Sequence, residues 1–119
     1  VVYRNQTKEA YLGIPAGLLK TKGPVSPEVT TLLTKRVLEK TPEADVALSI
    51  TGHLGPGAPP ALDGHVFIAV AWRRAKGRRQ PVAVKHLRCT ISRQRLARQR
   101  WAVEQALTML ANELEARVP

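Results

Sequence analysis

Apolar and polar positions alternate in two rhythms along this chain. Val29, Leu32, Leu33, Val37 and Leu38 recur at three- and four-residue steps, the spacing that places side chains on one face of a helix. Ser26-Pro27-Glu28 precedes them, with a capping hydroxyl, a proline at the first position and an acid at the positive end of the helix dipole. Thr41-Pro42 closes that helix. Leu96, Val103, Leu107, Leu110 and Leu114 form a second helical stripe with Trp101 beside it, and Ser92 is placed to cap this last helix. Asp45–Thr51 and His65–Trp72 are instead short, nearly continuous apolar runs, which predict buried strands. Pro81–Cys89 predicts a partner strand nearer an edge, because Pro81 cannot donate to a ladder.

The punctuation completes the order. Val1–Arg4 reads as the end of a strand, and Asn5–Leu12 as a short helix capped by Asn5, with Glu9 early in it and Gly13 as its stop. Pro15–Leu19 adds a helical turn, and Lys22-Gly23-Pro24 is a turn. Gly52–Gly64 holds four glycines and three prolines and must be a loop, longer than most connections. Arg73–Gln80, with Lys76-Gly77, predicts a hairpin turn. Helices and strands alternate, so the predicted fold class is α/β, layered, with helices packed on a small mixed sheet.

Composition narrows the picture. The chain has 119 residues, one domain's worth, and is 44% apolar, enough for a globular core. A single cysteine, Cys89, excludes an intrachain disulfide framework and suits a reducing compartment such as the cytoplasm. The longest apolar run, Val66–Trp72, is too short to span a bilayer. The net charge of +10 is localised: 11 basic residues and no acid lie between Arg73 and Arg100, while the other 91 residues carry 8 basic and 9 acidic groups. Such a region suits phosphates or nucleic acid, or simply a solvated hairpin and helix face. Without interleaved aromatics, nucleic-acid binding is the weaker expectation. His53, Asp63 and His65 show no recognised ligand spacing, so no metal or other cofactor is expected.

Three ordered segments carry a family resemblance. Tyr3-Arg4-Asn5-Gln6-Thr7-Lys8, with Leu12-Gly13-Ile14 after it, resembles a Y-S-N-x-x-K stretch followed by L-G-V. Gly23-Pro24-Val25-Ser26-Pro27-Glu28-Val29 is similar to H-G-A-V-S-x-x-V. Ser49-Ile50-Thr51-Gly52-His53-Leu54-Gly55-Pro56 is similar to S-V-T-G-I-A-G-P, with Gly64-His65-Val66 in place of a later G-T-V. Together they resemble the C-terminal domain of the CinA (competence/damage-inducible) family. The chain departs from that pattern at Arg4, at His53-Leu54, at Ala58-Pro59-Pro60 and at Ile91-Ser92-Arg93.

The resemblance implies hydrolysis of the carboxamide of nicotinamide mononucleotide to nicotinate mononucleotide and ammonia. It implies a serine nucleophile assisted by a lysine and a tyrosine, which match Lys8 and Tyr3. The serine belongs to an A-E-S-C-T-G-G stretch several dozen residues before the tyrosine motif, and this chain has no such stretch. The expectation is therefore one domain over residues 1–119 lacking its first strand and helix, which leaves a sheet position exposed. Asn5, Thr51, Gly52 and Gly55 match positions suited to holding substrate, and Arg95, with Arg93 nearby, suits the nucleotide phosphate. The alternatives are a CinA-like module that binds or assembles without catalysis, and a small basic nucleic-acid-binding domain. The expected partner is a small-molecule nucleotide, with no membrane, and a homo-oligomer remains open.

Overall fold

The computed structural model describes residues 12–73 and 81–116. Six elements follow in order: α1 (Ala16–Lys22), α2 (Pro27–Lys40), β1 (Val46–Gly52), β2 (His65–Trp72), β3 (Val82–Arg88) and α3 (Arg95–Ala116). The strands form one antiparallel sheet in the order β1-β2-β3. Gly52 lies opposite Val66, and Val66 opposite Leu87. Helices α2 and α3 pack on the sheet, giving the layered α/β architecture. The expected strand at Val1–Arg4, most of the helix at Asn5–Leu12 and the turn residues 74–80 lie outside the described residues.

Local chemistry accounts for α2. The Ser26 hydroxyl accepts from Val29 N–H at 3.2 Å, Pro27 opens the helix, and Glu28 sits in the first turn. At the other end Arg73 donates to the carbonyls of Leu38, Thr41 and Ala44 at 2.8–3.0 Å, which places a cation at the negative end of the helix dipole. The buried face carries Val29, Leu33 and Leu38, but also Thr30 and Thr34. Each threonine donates its hydroxyl to the carbonyl four residues back, Thr30 to Ser26 at 2.6 Å and Thr34 to Thr30 at 2.7 Å. Their polarity is thus satisfied inside the helix, which explains how a β-branched alcohol occupies an apolar face.

The centre of the sheet is β2. Val66, Ile68 and Val70 meet Ala102, Ala106 and Met109 of α3 on one face. On the other, Ala71 joins Ala47 of β1 and Leu38 of α2. Burial of such apolar area, at about 25 cal/mol per Å2, is the main stabilising term.

Three expectations change. The Asp45–Thr51 run predicts a buried strand, yet only Ala47 and Thr51 of β1 are buried and Ile50 is exposed. The reason is topological: among the described residues β1 pairs on one side only. In α3 Leu96, Val103, Leu107 and Leu114 are exposed while Leu110 packs against the core, and the face towards the sheet carries Arg98, Ala102, Ala106 and Met109. Small alanines allow close approach of a helix to a sheet, with Met109, Trp101 and Leu110 filling in around them. Ser92 also departs from its expected role. It accepts from Gln94 N–H at 3.0 Å, a local turn just ahead of α3, and is not the cap of the helix.

Candidate functional site

The loop between β1 and β2 is folded back onto the start of α3, and five contacts fix its course. His53 N–H donates to the His65 carbonyl at 2.9 Å, and Gly64 N–H to the His53 carbonyl at 2.7 Å, extending the ladder one step past β1. Cys89 N–H donates to the Gly64 carbonyl at 2.8 Å, tying the loop to the end of β3. From α3, Arg95 Nη1 donates to the Gly55 carbonyl at 2.6 Å. Gly55 has φ +69°, a left-handed conformation that glycine adopts without strain, and the Gly55–Pro56 peptide is cis. The fifth contact is an ion pair: Arg98 Nη1 and Nη2 reach Asp63 Oδ1 and Oδ2 at 2.7 and 2.9 Å.

Arg98 is 4% exposed. Its Nε donates to the Ser92 carbonyl at 2.8 Å, so the buried guanidinium also fixes the approach to α3. The Arg98 hydrogen bonds hold the Asp63 carboxyl below its ordinary range against an opposing effect of desolvation. The bidentate fork is the geometry in which arginine binds carboxylate best. Nothing in a helical apolar stripe announces Arg98. One signal was available: Asp63 is the sole acidic residue between Asp45 and Glu104. A lone carboxylate in so basic a stretch has arginines as its natural partners.

Beside this pair lies a polar cavity of about 250 Å3, lined by Asp63, Thr90, Ser92, Arg88, Arg93 and Arg98 among others. Arg98 is paired with Asp63, whereas Arg88 and Arg93 make no hydrogen bond to the described residues. The cavity therefore has a surplus of positive charge, hydroxyls and forked donors, the equipment for a phosphate-sized anion.

The expected site residues separate into three groups. Gly55 and Arg95 are brought together directly. Thr51 and Gly52 end β1 and lead into the same loop, but Thr51 turns inward: it is 7% exposed, and its hydroxyl lies 2.7 Å from that of Thr30. Since Thr30 gives its own proton to the Ser26 carbonyl, Thr51 is the donor of that pair. Gly52 packs on the Val66 side chain. Tyr3, Asn5 and Lys8 lie outside the described residues.

A second polar cluster lies on the sheet. His65 Nδ1 and His86 Nε2 are 2.7 Å apart, and His86 stacks on Phe67 with ring centroids 4.3 Å apart. Desolvation lowers the His65 pKa from its ordinary value, and His86, Arg88 and His53 lower it further. Among the described residues no group of three His, Cys, Asp or Glu side chains is placed to hold a metal ion. No helix among them is long and apolar enough to cross a membrane.

Residues 1–114 match the family model of the CinA C-terminal domain. A CinA-like protein of Desulfotalea psychrophila is 49% identical over 71 residues, which cover 58% of this chain and 17% of that protein. A putative competence-damage inducible protein of Geobacillus kaustophilus is 42% identical over 77 residues, covering 61% of this chain and 18% of that protein. The chain thus spans less than a fifth of the length of these relatives. Among solved structures, the competence/damage inducible protein CihA of Agrobacterium tumefaciens superposes with a TM-score of 0.72 at 30% identity, over 91% of this chain and 65% of that one. The competence damage-inducible protein A of Klebsiella pneumoniae shares the fold, with a TM-score of 0.79 at 20% identity, over 98% of this chain and 68% of that one.

Proposed function

This chain belongs to the CinA C-terminal domain family, and on that premise we propose that it carries part of a site that hydrolyses the carboxamide of nicotinamide mononucleotide, giving nicotinate mononucleotide and ammonia. The observation that carries the reading is the junction of loop and helix. The Thr51–Pro56 segment, which matches the family pattern, is clamped at Gly55 by Arg95 and sits beside a cavity in which Arg88 and Arg93 have donors to spare.

In this reading the nucleotide phosphate enters the arginine-lined cavity and Arg95 holds the loop against it. The nucleophile is a serine from outside this chain. Lys8 takes the serine proton as the hydroxyl attacks the carboxamide carbon, and a lysine serves as such a base once burial or neighbouring cations lower its pKa. Tyr3 passes a proton to the nitrogen as the carbon–nitrogen bond breaks and ammonia leaves, and water then hydrolyses the serine ester to release nicotinate mononucleotide and restore the serine hydroxyl. The tetrahedral oxyanion requires backbone N–H donors, which glycine-rich turns supply.

The test is ammonia release from nicotinamide mononucleotide by the full-length gene product. Lys8→Ala is expected to abolish turnover, and retained turnover removes Lys8 from the mechanism. A binding or assembly module is the second reading, favoured by the outward apolar stripe of α3.

A further inference from the structure

The histidine pair on the sheet takes no part in the proposed hydrolysis. In the β2–β3 register His86 lies opposite Phe67 and Arg88 opposite His65, so His65 and His86 are diagonal neighbours on one face of the sheet. Diagonal positions of an antiparallel pair lie about 7–8 Å apart, close enough for two imidazole rings to meet. They do meet: His65 Nδ1 and His86 Nε2 are 2.7 Å apart. His86 is exposed and His65 half-buried, so the meeting point is open to water on the His86 side. No ligand spacing in the sequence announces this, because 21 residues and a strand pairing separate the two rings.

In such a pair one ring donates a hydrogen and the other accepts it. A divalent transition ion can take the place of that hydrogen when both rings present lone pairs. No proton has to leave the chain for this. The other ring nitrogens, His65 Nε2 and His86 Nδ1, make no hydrogen bond to the described residues, so the donor ring can carry its hydrogen there. His86 also stacks on Phe67 at 16° between planes, which fixes its ring and lowers the ordering cost of binding.

The spacing selects the ion. With metal–nitrogen bonds of about 2.0–2.1 Å, nitrogens 2.7 Å apart subtend about 80–85° at the metal. Adjacent ligands of a square-planar or octahedral ion subtend 90° and need about 2.9 Å, whereas a tetrahedral ion needs about 3.3 Å. Cu2+ and Ni2+ therefore fit with a shift of about 0.2 Å, and Zn2+ requires about 0.6 Å. Arg88 shares this face of the sheet, and its charge opposes a bound cation.

We propose that His65 and His86 form a two-histidine site for Cu2+ or Ni2+, with the rings as adjacent ligands and water in the remaining positions. The test titrates Cu2+ alone, as its chloride, into the 119-residue chain by calorimetry, in a Cys89→Ser background that removes the competing thiol. One equivalent is expected to bind, and pulsed electron paramagnetic resonance of the complex should show two coordinated imidazoles. His86→Asn, at an exposed strand position, is expected to weaken binding by about tenfold or more and to leave one imidazole, with unchanged circular dichroism. His53→Asn should change neither result, and Arg88→Ala should tighten binding. Ni2+ should bind more tightly than Zn2+. A single coordinated imidazole with both histidines in place, or an affinity indifferent to His86→Asn, overturns the proposal. Zn2+ binding more tightly than Ni2+ overturns it equally, since the rings would then not act as adjacent ligands at 90°.

Discussion

Arg98 crosses from α3 to take both carboxylate oxygens of Asp63, and the two partners are buried unequally: the arginine side chain is 5% exposed and the aspartate 35%. That asymmetry makes the two deletions unequal. Asp63→Ala leaves a buried guanidinium without its counter-charge, the costly way to break a pair. Arg98→Met leaves a carboxylate that water already reaches, with an apolar side chain filling the helix face. Asp63→Ala is therefore expected to lower the urea midpoint further than Arg98→Met. Equal losses would show that the loop anchor acts through packing and not through charge.

Thr30 and Thr51 make a similar comparison in neutral form. Thr51→Val removes a donor but leaves the Thr30 hydroxyl bonded to the Ser26 carbonyl, a loss of about 0.5–1.5 kcal/mol. Thr30→Val strands the buried Thr51 hydroxyl, and the cost rises to about 1–3 kcal/mol. The double variant is expected to cost less than the sum, because the unpaired group is gone. Equilibrium unfolding of the four chains reads this directly, and simple additivity would mean that the 2.7 Å contact carries no coupling.

These two contacts also show where sequence reading stops. The α2 start was legible because Ser26, Pro27 and Glu28 act on their own neighbours, and the structure places the cap there. β2 was legible because a central strand needs apolar residues on both faces. The fate of the α3 leucines was not legible, since periodicity reports a face and not what lies against it. Thr30, Thr34 and Arg98 break the apolar pattern, and each is tolerated only through a partner on the same helix or a distant loop. At the site, Gly55 and Arg95 were named separately from motif positions 40 residues apart, and their contact is tertiary.

The histidine pair predicts a pH dependence of definite sign. The His65 pKa lies below its ordinary 6.5, chiefly through desolvation and then through His86, Arg88 and His53. The folded chain therefore binds fewer protons at this site than the unfolded one as pH falls past 6.5. Its contribution to stability is fully present above that value and is lost as pH drops through the lowered folded pKa. Unfolding free energy measured from pH 8 to pH 5 should decline, and His65→Gln should flatten that decline. Asp63 has the same sign at lower pH: its contribution is present above its ordinary 3.8 and is lost as pH falls through the lowered folded value and the carboxylate paired with Arg98 takes a proton. A decline unchanged by His65→Gln would assign the acid lability elsewhere.

The cavity beside Asp63 separates a phosphate site from a nucleic-acid surface. Arg88 and Arg93 line one half-open cavity with Thr90 and Ser92, of a size suited to a single phosphate and not to a backbone track. Inorganic phosphate followed by NMR titration is expected to shift the amides of Thr90, Ser92 and Arg93. Arg88→Ala and Arg93→Ala should each weaken it by about tenfold, the loss of one charge-assisted contact. An extended nucleic-acid interface would behave differently. Its affinity would fall steeply with salt, one counterion released per phosphate neutralised, and would respond to Lys85 and Arg100 as strongly as to Arg93. Tight, salt-steep binding of duplex DNA, with no phosphate response at Ser92, would reverse the assignment. It would make the basic stretch from Arg73 to Arg100 the functional surface.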